Sequence, residues 1–446
     1  MILLLVFIVS FFLWYRNKRT LSILFLYILV SNGLDIKYLS DEIIPIHNYI
    51  FLFTNLILIQ DWCKGRLKQD INNDSLLRII VYGYLFFIIH CLVTVILGQD
   101  NIRYAFSVLR VSQWSLLLYL IVRKLQIYEL EKGLKYIAWI IIIHCFLYLC
   151  QYGGINVFKE EYSGEGVLRN GTPASLPLYL LLSLFVFRIK RVFILYLLPL
   201  IFGGARGVLV SLIVAICFFF RKKLYKLQYL IVAIIASVII YWGYNNYVAN
   251  NVQRYDISMM EEIAKGFDWK TITDFTSYDS GGSHFTFKDN GTFAFRISMV
   301  LERFIYIISN PFYLPFGVGA IAEVSPYNHF NFYIGTEQED LKYGIAQIDS
   351  VDIVWSSVIL RYGLFGIIFW CLFIKECYRL FKQNTKSPYF IVGGIYLWFF
   401  IFNSFGSAWV IHGSWLLPFF ILIVYCSKTL YNRQTDNGCI CNNSNV

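Results

Sequence analysis

Charge is scarce in this chain: 15% of its 446 residues are charged, against 58% that are hydrophobic. Few soluble domains tolerate that balance. Cysteine is missing from one long polar stretch, residues 244–347, although ten cysteines occur elsewhere. Disulfides therefore cannot staple that stretch, which must be held by its own packing and by whatever flanks it. No pair of histidines and no histidine–carboxylate cluster has the spacing of a metal site. Nor is an internal repeat visible, which removes one pointer toward an inverted-repeat transporter.

What the chain has in abundance is apolar runs near the length that crosses a bilayer. Short basic clusters separate them, at 16–19, 64–68, 123–135, 188–191, 221–226 and 375–382. With Arg78, Lys386, Lys428 and Arg433 these hold 24 of the 38 lysines and arginines. Short loops rich in Lys and Arg stay in the cytoplasm. Residues 244–347 carry seven basic against twelve acidic residues and belong on the other side. The net charge of +10 is thus a topology signal and not a nucleic-acid footprint.

These runs predict an all-α polytopic membrane protein of about thirteen spans. They fall at 1–15, 20–34, 43–60, 79–97, 106–122, 136–150, 173–187, 192–202, 208–220, 227–243, 350–374, 388–405 and 409–426. The short runs 192–202 and 208–220 read as two crossings or as one re-entrant pair. The opening run lacks a basic leader and a cleavage site and is read as a retained span. Four parts follow: transmembrane residues 1–243 with an external loop at 151–172, a large external loop at 244–349, transmembrane residues 350–427, and a cytoplasmic tail at 428–446. Within the large loop, residues 295–309 have apolar side chains at helical spacing among Arg296, Glu302 and Arg303. Such a helix lies along the interface instead of crossing it.

Several polar residues stand at the predicted outer edge. Arg206, in the turn GGARG, opens a span, where glycines and a helix start suit a phosphate; the competing reading is a bare turn with a snorkelling arginine. Arg169 sits just outside another span, and Arg296 and Arg303 lie in the interfacial segment. Singly each reads as an anchor; together they offer guanidinium forks to a pyrophosphate. Asp349, Asp352 and Ser356 fall on one helix face at the mouth of the 350–374 run. One carboxylate there could act as a general base, or the pair simply favours a helix N-terminus. His329, in SPYNHFNFYIG, is the one histidine kept as a candidate. Arg110 and Arg361 fall inside predicted spans, where buried pairing is expected.

The order of these motifs resembles a known family. R-x-G-x-P (Arg169, Gly171, Pro173) is followed by G-x-R-G (Gly204, Arg206, Gly207). Arg296 then precedes N-P (Asn310, Pro311), F-G-x-G (Phe316, Gly317, Gly319) and a closing G-x-x-G (Gly363, Gly366). Over residues 140–375 this is similar to the O-antigen polymerase (Wzy-type) and O-antigen ligase superfamily. The resemblance implies a GT-C-like bundle in the bacterial inner membrane and metal-independent, cofactor-free glycosyl transfer from undecaprenyl pyrophosphate. Its implied partners are lipid-linked oligosaccharides, the bilayer, a chain-length regulator and a flippase. Arg169, Arg206, Arg296 and Arg303 would take the pyrophosphate, and Asp352, Asp349 or His329 the proton. The ligases place a histidine where Asp352 stands here, which tilts the expectation toward a polymerase. A ligase is the nearer alternative, and a polysaccharide transporter or flippase the more distant one.

Overall fold

A computed structural model of the chain describes residues 2–37, 47–110, 114–155, 157–158, 172–187, 192–202, 206–224, 264–273, 287–335, 345–350 and 353–442. Among these the regular structure is helical, with one isolated bridge between Ile36 and Phe158. In chain order the helices are α1 (Ile2–Tyr15), α2 (Arg19–Val30), α3 (His47–Cys63), α4 (Arg66–Asn73), α5 (Ser75–Ile96), α6 (Ile102–Val108), α7 (Leu118–Val122), α8 (Ile127–Cys150) and α9 (Leu176–Leu182). There follow α10 (Phe193–Phe202), α11 (Arg206–Phe219), α12 (Arg221–Leu224), α13 (Trp269–Thr273), α14 (Phe287–Ser309), α15 (Tyr313–Phe316), α16 (Val354–Lys382), α17 (Pro388–Asn403) and α18 (Gly413–Asn442).

Four of these helices, α5, α8, α16 and the Gly413–Asn432 part of α18, are long and apolar enough to cross a membrane. Seven shorter apolar helices of 10–17 residues accompany them. The chain is a polytopic helical membrane protein. Most predicted runs recur as single helices, with one break. The run 106–122, which carries Arg110, is divided: α6 stops at Val108, and a 3₁₀ turn at Trp114–Leu117 leads into the short α7. The run 227–243 lies outside the described residues.

One end of the bundle collects the basic loops. Arg19 donates to the Lys124 carbonyl at 2.9 Å, and Lys124 and Arg123 pair with Asp61 and Asp70, both at 2.8 Å. Lys428 donates to the Leu125 carbonyl at 2.6 Å. A cavity of about 1100 Å³ opens here, lined by Asp74, Arg123, Glu131, Arg379 and Lys428 among others. Asp74 also caps α5, accepting from the Leu77 amide at 3.0 Å, and α8 opens on a Gln126–Glu129 capping box. Loops assigned to one side by charge alone therefore meet in space.

The opposite end, which the sequence reading assigns to the outer side, is built around a kink. At Gly363 α16 adopts φ 56° and ψ −144°, a region only glycine occupies without strain. Just before the break, the Leu360 and Arg361 carbonyls accept from the Val318 and Gly319 amides at 2.8 and 3.3 Å. Gly317 has φ 74°, and a Cβ on it would stand 2.3 Å from the Arg361 backbone carbonyl. F-G-x-G and G-x-x-G are thus the two halves of one backbone joint. Beyond it, Ala320 donates to Thr94 at 2.8 Å, and the Ala322 amide and Ser325 hydroxyl donate to the buried Asp100 at 3.1 and 2.6 Å. Each bond to a buried carboxylate contributes about 1.5–3 kcal/mol. The outer loop is therefore fastened to both α16 and α5.

Candidate active site at the outer end of the bundle

Helix α14 carries Arg296 on a firmly seated segment. Ala294, Phe295 and Met299 are buried against Ile272, Ile334 and Ile353, in contact with Trp355 at the head of α16. From there the guanidinium reaches across to the turn after α17, with Nη1 3.6 Å from where a Cβ on Gly406 would stand. Trp355 donates its indole N–H to Ser404 in the same turn at 2.9 Å. Helix α11 packs along α17, and Phe219 meets Gly394 toward the inner end of both. The 14 residues of α11 span about 20 Å. Its first residue, Arg206, therefore lies toward the end of the bundle at which α17 terminates.

Next to this turn, Asn403 is fully buried, and neither atom of its amide finds a hydrogen-bond partner among the described residues. Leaving a polar group buried in that state costs about 1–3 kcal/mol. Asn403, Ser404 and Gly406 were not singled out from the sequence. The signal was there in the polar NSFGS at the end of an otherwise apolar run.

Two of the expected site residues are placed differently from the sequence reading. Arg303 does not reach the surface: only 1% of its side chain is exposed. It bonds Glu302 at 2.7 Å and the Gln347 carbonyl at 3.1 Å, and it lies 4.4 Å over the Phe332 ring. Burial pushes the Glu302 carboxyl up and the Arg303 guanidinium down, to about 10, while their mutual attraction opposes both shifts. Arg303 is an internal brace and not a pyrophosphate ligand. Asp349 forms a two-pronged ion pair with the buried Arg361, Oδ2 accepting from Nη2 at 2.7 Å. Both of its oxygens are thereby engaged by one guanidinium. Arg361 is paired as expected, and it also donates through Nε to the Ile321 carbonyl at 3.0 Å.

Ser356 is buried, and its hydroxyl bonds back to the Ile353 carbonyl at 3.1 Å. Arg169 and Asp352 lie outside the described residues. His329 is exposed, with Nδ1 2.9 Å from the Tyr327 carbonyl oxygen and its ring stacked on Phe330. A carbonyl oxygen only accepts, so Nδ1 carries the proton in this contact.

Glu323, overlooked in the sequence, organises this corner. It accepts from the Gln347, Ile348 and Asp349 amides at 2.8, 2.7 and 2.8 Å, and from the Asn328 side chain at 3.2 Å. A lone glutamate in a long loop carries no periodic signal that could have marked it.

These features define a class: a multi-pass helical membrane protein with polar residues, Arg296 among them, at the end of the bundle away from the basic loops. Residues 192–371 match a family model described as O-antigen ligase. That stretch is similar to the O-antigen ligase family, in line with the polymerase and ligase resemblance carried by the motifs. The matched segment contains Arg206, Arg296, His329, Asp352 and the Gly317–Gly363 joint, and leaves out Arg169. No curated protein and no solved structure matches the chain.

Proposed function

We propose that this protein polymerises oligosaccharide repeat units carried on undecaprenyl pyrophosphate, at the outer face of the bacterial inner membrane. The observation that carries the reading is the approach of Arg296 to the polar turn that ends α17, where the buried Asn403 amide is left unsatisfied among the described residues. Arg206 opens α11 toward the same end of the bundle. Two guanidinium-bearing residues from separate elements so placed suit a diphosphate held at the membrane surface by its lipid. Further along α14 and into the following turn, Ile305, Ile308, Phe312 and Phe316 are exposed, as an edge resting on lipid would be.

The reaction breaks the bond between the anomeric carbon of the growing chain and the pyrophosphate oxygen. A hydroxyl of the incoming repeat unit forms the new bond to that carbon and releases its proton to His329 Nε2. The arginines match the charge that develops on the departing pyrophosphate. Asp352, where the ligases of the family place histidine, supports a polymerase over a ligase.

The test is complementation of a strain lacking this gene, with surface polysaccharide run on gels. Arg206→Ala and Arg296→Ala, present at normal protein levels, are expected to leave products of a single repeat unit. Full-length polymer from both variants would remove the arginines from the reaction. Free polymer not joined to its lipid core in the deletion strain would instead mark a ligase.

A further inference from the structure

The segment that follows His329 has a pattern the reaction above does not use. From 329 to 334 burial alternates residue by residue: Phe330, Phe332 and Ile334 point into the protein, while His329, Asn331 and Tyr333 face outward. The inward side is tightly held. Phe330 and Phe332 stack at 5.6 Å and both pack against Tyr306. Gln347 bonds both the amide and the carbonyl of Phe332, at 2.6 and 3.4 Å. The buried Glu302 accepts from the Tyr333 and Ile334 amides at 2.7 and 3.2 Å. Outward side chains on such a backbone are presented by a rigid support, repeating about every 6.7 Å along an extended chain.

The chemistry of the outward face is specific. It offers an imidazole, a carboxamide that both donates and accepts, and a phenol that is 41% exposed, with Tyr327 at 48% just before them. Residues 311–335 contain no lysine or arginine. Nothing there can neutralise a phosphate, so the diphosphate belongs to the arginine rim and not to this strip. Nor does the strip resemble the neighbouring lipid-suited edge, whose exposed residues are Ile and Phe. Neutral hydrogen-bonding groups alternating with aromatic faces suit the hydroxyls and apolar ring faces of sugars.

We propose that the outward face of residues 327–333 is a saccharide-binding rail that holds the acceptor sugar chain, leading its attacking hydroxyl to His329. This rests on the polymerase reading and adds to it where the non-reacting sugars lie. Binding energy from those remote sugars would hold the hydroxyl in place for attack.

The test uses the full-length protein in detergent, and short oligosaccharides cut from the surface polysaccharide of the strain that carries this gene. Saturation-transfer NMR reads sugar contact, and gels of complemented cells read polymer length. Asn331→Ala with Tyr333→Ala is expected to weaken binding at least about tenfold, a loss on the order of 1.4 kcal/mol, and to shift the polymer toward shorter chains. Tyr333→Phe, which keeps the ring, is expected to bind as the parent does. Arg296→Ala is expected to bind the oligosaccharides normally while making no polymer. The rail is overturned if the parent shows no sugar contact, or if the double variant matches it in both binding and polymer length. Normal polymer from the Arg206 and Arg296 variants, with binding still lost in the double variant, would sink the polymerase mechanism and leave the rail standing.

Discussion

At the scale of residues, the charged groups divide into those committed inside the fold and those left at its rim. Glu302 and Arg303 are neighbours in sequence, and consecutive helical positions do not face each other. Both are nonetheless buried, because the outer loop folds over α14 and supplies amides to one and a carbonyl and an aromatic face to the other. Removing one member leaves the other buried and unpaired, which costs about 3–5 kcal/mol. Glu302→Ala is therefore expected to lower the thermal unfolding temperature and the membrane level of the protein sharply. A Glu302→Met, Arg303→Met double variant should lose much less. Equal losses from both would mean that the ion pair is not what holds the loop. The sequence reading gave Arg303 the same role as Arg296, since residue type alone does not distinguish an arginine facing inward from one facing out.

Among the elements, the joint between the Gly317 turn and the kinked α16 decides where the outer loop sits. Its glycines stand out in the sequence as F-G-x-G and G-x-x-G, but 44 residues separate Phe316 from the second motif's first partner carbonyl at Leu360. Only the folded chain shows that amides of the first motif reach the carbonyls just ahead of the second. A Cβ at Gly363 would stand 2.6 Å from the Gly317 nitrogen, on a backbone that side chains do not adopt. Gly363→Ala should therefore free the loop, seen as faster proteolysis within residues 317–349 in intact membrane vesicles opened on the outer side. Unchanged cleavage would show that the bonds to Asp100 and Thr94 hold the loop without the joint. That α14 would be helical was legible from its spacing, though the helix begins earlier than expected, at Phe287.

For the whole molecule, the distribution of Lys and Arg is the organising fact. Basic residues from distant loops converge on one end of the bundle, around Asp61, Asp70 and Asp74, while the arginine rim stands at the other. Fusions at residue 270 are expected to support alkaline phosphatase activity, which needs export. Fusions at residue 384 are expected to give fluorescent protein, which needs the cytoplasm. The opposite pattern would place the arginines on the wrong side for a lipid-linked donor and end the polymerase proposal.

The sequence by itself determined the solvent of this protein and where most of its apolar helices fall. Those properties follow from composition and local periodicity, which bilayer thickness and charge read directly. Only the tertiary structure decided that Arg303 faces inward, that Asp349 is held by Arg361, that Asn403 is left unsatisfied beside Arg296, and that Glu323 gathers three amides. Each of these depends on which distant segment arrives next to the residue, and a contact between remote positions leaves no period in the chain to be read.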